Sequence, residues 1–157
     1  MKKFLDFNIR QNELLQSFEA ATEMVLSTCS DNRVTSRIVS TACCGDKVYF
    51  LSWEHHVKCH QIHDNPRVAI CHGNIQIEGI ADIKGDPLAE ANMIYSQKFK
   101  MKQPRIFDIF TQFKGMILIE VSITSIRSYV QADGEHYLDC LDFTQKTAYR
   151  ENMKIDA

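Results

Sequence analysis

The sequence predicts a mainly β fold, in which six to eight short antiparallel strands close into a barrel with one or two flanking helices. Three features carry it. Residues 74–83 and 115–123 alternate apolar and polar side chains with period two. Other β-rich runs are punctuated by turn clusters such as Ser30-Asp31-Asn32-Arg33 and Gly45-Asp46-Lys47. Asp133-Gly134 lies between two further runs and suits the positive φ values of a tight hairpin. A barrel follows because closure removes exposed strand edges.

In chain order, Asn8 is expected to cap a helix over 9–21, where Leu14, Leu15, Phe18 and Ala21 share a face. Strands over 24–29, 34–44 and 48–53 read as a three-stranded meander. Residues 54–64 are too polar for a buried strand and read as a short helix stopped by Asn65-Pro66, before a strand over 67–72. In the alternating run, Ile75, Ile77, Ala81 and Ile83 share one face, and Asn74, Gln76, Glu78 and Asp82 the other. Asp86 as N-cap and Pro87 behind it open a helix along Leu88, Ala91, Ile94, Tyr95 and Phe99, broken at Gln103-Pro104. A helical piece over 105–113 leads into strands over 115–123, 125–131 and 135–143, and a polar, loose tail is expected from Thr144. Residues 1–157 are expected to form a single domain.

At 157 residues, with 45% hydrophobic and 24% charged content, the chain has room for one core. A formal net charge of -2 offers no field for phosphate backbones or anionic lipid, so neither nucleic acid nor membrane is an expected partner. Asp6, Arg10 and Glu13 interrupt the N-terminal segment before an apolar stretch can build, which excludes a signal peptide, and no later run is long enough to span a bilayer. The expected location is cytoplasmic. The six cysteines follow no disulfide framework and are expected reduced and mostly buried.

No G-x-G-x-x-G, Walker loop, H-E-x-x-H or G-x-S-x-G is present. The candidate chemistry lies in a looser series: Arg37-Ile38-Val39 in the second strand, Tyr49 to Trp53 in the third, Lys58 at the start of the short helix, Asn65-Pro66, and Asn74 through Glu78-Gly79. A phosphate needs cations and donors, which Arg37, Lys58 and the free N–H groups of a helix starting near His55 supply. A flat ring bound beside that phosphate would need apolar walls and an amide partner, for which Val39, Trp53 and Asn74 are suited.

In order and spacing this series resembles the pyridoxamine 5′-phosphate oxidase-like family of FMN-binding split barrels, well over 24–86 and more loosely over 115–143. The resemblance implies that Arg37 and Lys58 grip the flavin phosphate, that the backbone of Ile38 and Val39 lies along the isoalloxazine ring, that Ser52 is the hydroxyl closing the aromatic strand, and that the Asn74 amide reaches the ring. It further implies an FMN-dependent reductase or oxidase of a small molecule, with NADH or NADPH as candidate electron donor. A homodimer with cofactor at the interface follows from the resemblance together with the apolar piece Ile106, Phe107, Ile109, Phe110 and Phe113. No catalytic side chain is assigned, because the flavin carries the electron chemistry. True vitamin B6 oxidases bind substrate through a C-terminal arginine and histidine motif; after Gly134 this chain has only His136 and Arg150, in different surroundings, so vitamin B6 oxidation is not the expected reaction.

Two alternatives stand beside this. A flavin or haem carrier would use the same pocket without turnover. His55, His56, Cys59, His60 and His63 crowd into nine residues, and on a helix the last four would share a face, as a metal or haem site could use.

Overall fold

Nine strands form one antiparallel sheet in the computed structural model, which describes residues 2–153. They are β1 (Lys2–Leu5), β2 (Glu23–Ser30), β3 (Arg33–Cys44), β4 (Lys47–Trp53), β5 (Arg67–His72), β6 (Ile75–Gly85), β7 (Met116–Ala132), β8 (Glu135–Asp142) and β9 (Thr147–Asn152). Helices α1 (Phe7–Ala20), α2 (Val57–Asp64), α3 (Met93–Lys102) and α4 (Pro104–Phe110) flank them. The order β7-β4-β3-β2-β5-β6, closed by β6 on β7, makes a six-stranded barrel. This is the expected mainly β split barrel.

β7 is the spine. Its first half pairs with β4 on one edge and β6 on the other, while its second half keeps β6 and exchanges β4 for β8. The sequence suggested two strands meeting at Thr124. Instead Thr124 is an extra residue in one continuous strand, opposite the Glu78–Gly79 step, where its hydroxyl donates to Glu78 O at 3.1 Å. Gly79 is required there: a Cβ would stand 2.5 Å from Val121 Cγ1 and 2.8 Å from Ser122 O.

Inside the barrel, Leu26, Phe50, Ile70, Ile77, Ile119 and Ile126 are fully buried, and α1 closes one end with Leu14 and Phe18. β4 is apolar on both faces because α3 and α4 cover its outer side, where Tyr49, Leu51 and Leu118 meet Phe99 and Phe107. The piece 105–113 is therefore mostly satisfied by its own chain. Phe107 is buried and Ile106 and Phe110 pack on the same cluster, leaving only Ile109 and Phe113 well exposed. The larger uncovered apolar face lies on the outside of β2, β3 and β6, at Val25, Val34, Ile38 and Ile80.

Other expectations need correction. Asp6, not Asn8, caps α1 by accepting the Ile9 N–H at 2.9 Å. Asp86 accepts the Leu88 N–H at 2.8 Å, but the chain then turns, held by Asn92 Nδ2 on Lys84 O and Asp86 O, and the helix starts only at Met93. The segment from Thr144, expected as a loose tail, forms β9, which pairs with both β8 and the N-terminal β1. Asp139, with no exposed surface, fixes this corner through Arg10 at 2.8 Å and Arg150 at 2.6 Å. All six cysteines are free, and fewer are buried than the sequence suggested: Cys59 and Cys140 are buried, Cys71 is exposed and the rest are half-buried. Among the described residues no helix is long and apolar enough to cross a membrane.

Candidate functional site at the fork between two strands

The barrel splits where β3 leaves β4. β3 pairs with β2 along Arg33 to Ser40 but meets β4 only over Thr41 to Cys44. α2 fills the wedge and bonds to both lips. On the β4 side, the buried Cys59 sulfur lies 3.2 Å from Trp53 O and 3.4 Å from Ser52 Oγ, which share its one proton. On the other, Gln61 donates to Arg33 O at 2.9 Å, and its Oε1 accepts from Thr28 and Thr35, both at 2.6 Å.

A cleft of about 190 Å³ opens at this fork. Ile38 and Val39 of β3, Ser52 and Trp53 of β4, and Lys58 of α2 all line it, so five of the seven expected cofactor residues come together. His56, singled out in the sequence only for a metal or haem site, Phe110, read there as part of an interface piece, and Met116, which the sequence did not single out, also line it. The Trp53 ring lies 5.3 Å from His56 edge-on and 6.2 Å from Phe110. Ser52 is buried, and its hydroxyl donates to Trp53 O at 3.3 Å, so it braces the lip.

Arg37 does not line the cleft but stands behind it. Its guanidinium donates to Leu26 O at 3.3 Å, to Thr28 Oγ1 at 2.7 Å and to Thr35 Oγ1. The Gln61 amide thus organises the threonines that hold Arg37, on the same helix that carries Lys58. The signal for this network was present: Thr28 and Thr35 face each other at inward positions of β2 and β3, where apolar residues are the rule. Asn74 is elsewhere. It sits on the turn between β5 and β6, and its Nδ2 donates to Tyr129 O at 2.6 Å.

The electrostatics of the fork are those of an incomplete pair. Burial holds Lys58 below the ordinary lysine value, and the nearby charge of Arg37 adds to the shift. Burial likewise lowers Arg37. Among the described residues neither cation makes an ion pair with a carboxylate. Lys58 Nζ lies 3.0 Å from His56 Nδ1, and His56 is lowered by burial and then by the charges of Lys58 and His55. The amides of Val57 and Lys58 precede the first intrahelical bonds of α2, which run from Cys59 and His60 to His56 O. Lys58 and the start of α2 thus meet at the cleft, while Arg37 stands behind it with its guanidinium engaged by Leu26 O and the two threonines.

The histidine-rich stretch does not assemble as the sequence allowed. α2 begins at Val57, which leaves His55 and His56 ahead of the helix; Cys59 is committed to β4, and the exposed His63 pairs with Asp64 at 3.3 Å. Among the described residues no three His, Cys, Asp or Glu side chains are placed to hold a metal ion.

The chain thus has the split-barrel fold shared by pyridoxamine 5′-phosphate oxidase-like FMN-binding proteins. A pyridoxamine 5′-phosphate oxidase-related, FMN-binding protein from Nostoc punctiforme matches with a TM-score of 0.60 at 14% identity, covering 94% of each chain. An FAD-binding protein from Mesorhizobium loti matches at 0.59 and 12% identity, covering 96% of this chain and 99% of the other. A haem-binding protein from Mycobacterium smegmatis matches at 0.65 and 10% identity, over 84% of this chain and 56% of its own. No protein-family model and no curated protein matches the sequence. At such identities the likeness concerns the fold, so the choice of cofactor must be argued from the site.

Proposed function

We propose that the fork binds FMN, with its phosphate between Arg37, Lys58 and the start of α2, and that the chain is an FMN-dependent oxidoreductase of a small molecule. The observation that carries this is the pair of half-buried cations without a carboxylate partner. Placing two like charges together in a partly desolvated wedge is unfavourable unless an anion joins them. A terminal phosphate, as on FMN, fits that position, and no Gly-rich turn is present for a pyrophosphate. Ile38, Val39, Met116 and Trp53 supply apolar walls for a flat ring. Bound flavin would supply the redox chemistry, with NADH or NADPH as electron donor. The chain's own groups anchor the phosphate, orient the ring along β3 and exclude water from one of its faces.

The second element of the proposal is a homodimer with the cofactor at the interface. A cleft of about 190 Å³ is smaller than typical ligand pockets of roughly 300–1,000 Å³, so one protomer encloses only part of a flavin. Ile38 belongs both to the cleft and to the uncovered apolar face of β2, β3 and β6, which a second copy would cover. Asn74, remote from its own fork, would then be available to the partner's site.

Haem is the second reading, and His56 favours it. Its lowered pKa keeps the imidazole neutral at pH 7, the form that binds iron, at the edge of an aromatic cleft. The discriminating experiment is the absorption spectrum of the purified protein, with FMN and haem each titrated into colourless samples. Flavin bands and FMN binding that depends on Lys58 support the proposal. A haem Soret band lost in His56→Ala, with no FMN binding, overturns it. Sedimentation at micromolar concentration tests the dimer, and a monomeric mass contradicts it.

A further inference from the structure

The net charge of -2 hides an uneven distribution. Between Met93 and Lys114 the chain carries Lys98, Lys100, Lys102, Arg105 and Lys114 against the single carboxylate of Asp108, although the whole chain has 18 cations and 20 carboxylates. This stretch is α3, α4 and the loop that follows. α3 buries Ser96 and Phe99 and leaves Met93, Ile94, Gln97, Lys98, Lys100 and Met101 exposed. Those six fall into two rows at four- and three-residue steps, Met93-Gln97-Lys100 and Ile94-Lys98-Met101, so the outer face of the helix is a mixed stripe of apolar and basic side chains. Ile94 is 61% exposed and Met101 84%. α4 extends this face. Lys100 meets Asp108 at 3.3 Å, which sets the exposed Arg105, about one turn before Asp108, beside the stripe.

Basic residues in the last turn of a helix complement its dipole, which accounts for Lys100 and Lys102. It does not account for Lys98, Arg105 and Lys114, which make no ion pair among the described residues. Nor does it account for large apolar side chains standing in water between the cations. A groove of about 360 Å³ adds to the apolar surface here, with Leu88, Met93 and Phe107 as walls and Lys100 among its lining residues. The face is separate from the one suited to a second copy: α3 covers the outer side of β4, whereas the uncovered apolar residues of the barrel lie on β2, β3 and β6.

We propose that the outer face of α3 and α4 docks the protein on an anionic lipid bilayer. Ile94 and Met101 enter the bilayer at the level of the headgroups, Lys98, Lys100 and Arg105 meet lipid phosphates, and the groove beside Met93 is covered by acyl chains. The contact is peripheral, because α3 has ten residues and is about 15 Å long, half the roughly 30 Å thickness of a hydrocarbon core. A nucleic acid would use the cations and gain nothing from Ile94 and Met101. A bilayer uses both. α4 also carries Phe110, which lines the fork, so docking brings the candidate site to the membrane surface. The proposal does not depend on which cofactor the fork takes.

The test is sedimentation of the full chain with vesicles of phosphatidylcholine alone, and of equal parts phosphatidylcholine and phosphatidylglycerol, at low and high ionic strength. The expected result is binding to the mixed vesicles only, released by salt. One basic side chain near an anionic surface strengthens partitioning about fivefold, so a double variant with Lys98→Gln and Arg105→Gln should bind about 25-fold more weakly. A variant with Ile94→Ser and Met101→Ser keeps every charge and should bind about tenfold more weakly. All four positions are exposed, so both variants should fold, with urea melts like the wild type's. Absence of binding to the mixed vesicles at low ionic strength overturns the proposal, and so does equal binding to phosphatidylcholine alone. Unchanged binding by the serine variant also overturns it, and if duplex DNA is then bound as tightly as the vesicles, the face is a general polyanion site.

Discussion

Replacing Lys58 by methionine isolates the proposed phosphate grip, because Lys58 has a single side-chain partner, His56 Nδ1, and its stem keeps its packing in the variant. A hydrogen bond to a charged group contributes roughly 1.5–3 kcal/mol, so the affinity for FMN should fall about ten- to a hundredfold. Riboflavin, which has the same ring and no phosphate, should bind both proteins equally. The apoprotein should not suffer. Lys58 has a folded pKa below the ordinary 10.5, so the unfolded chain holds that proton more tightly. Its charge therefore counts against the folded form at neutral pH. Wild-type apoprotein should gain stability as pH rises through the window between the lowered value and 10.5, and Lys58→Met should lack that gain. FMN affinity of the wild type should decline through the same window while riboflavin affinity holds. Flavin fluorescence titrations and urea melts across pH read all of this. Equal losses for FMN and riboflavin, or no loss for either, would refute the reasoning.

Gln61→Leu removes the acceptor shared by Thr28 and Thr35 and the donor to Arg33 O, and should lower stability by about 1–3 kcal/mol in urea melts while also weakening FMN. Gly79→Ala forces a methyl against Val121 Cγ1 and the Ser122 carbonyl at the barrel's closing seam, with an expected loss of about 1–3 kcal/mol and a lower melting temperature. Asp139→Asn leaves Arg10 and Arg150 without their shared buried carboxylate. Its loss should fall near the lower end of the roughly 3–5 kcal/mol seen when a buried pair is broken, since both guanidiniums reach solvent, and hydrogen exchange should rise first in β9.

The barrel was legible wherever one strand face is buried and the other is not. β6 shows this in its alternation, and the turn at Asp133-Gly134 has the positive φ values, 53° and 76°, that its residues favour. β1 and β9 were not legible, because β1 has no fully buried residue and β9 only Ala148. Such strands are specified by their partners, and by Asp139 between two arginines distant in sequence. Thr124 misled because a β-branched polar residue at a bulge looks like a break when no partner strand is visible. At the fork, Ile38, Val39, Ser52 and Lys58 were found through the family resemblance in order and spacing, and Trp53 as a candidate apolar wall at the end of the third strand. Phe110 reaches the cleft from a different part of the chain, which no local pattern reveals. Asn74 lies outside the single-chain cleft because its place depends on the β5–β6 turn.

The account rests on the identity of the bound group, and the most direct measurement is the pigment released when the purified protein is denatured. Release of FMN in about one equivalent per chain is the predicted result, with colourless apoprotein from Lys58→Met taking up added FMN only weakly. Release of haem or FAD, or a wild-type chain that fails to take up added FMN, would contradict it.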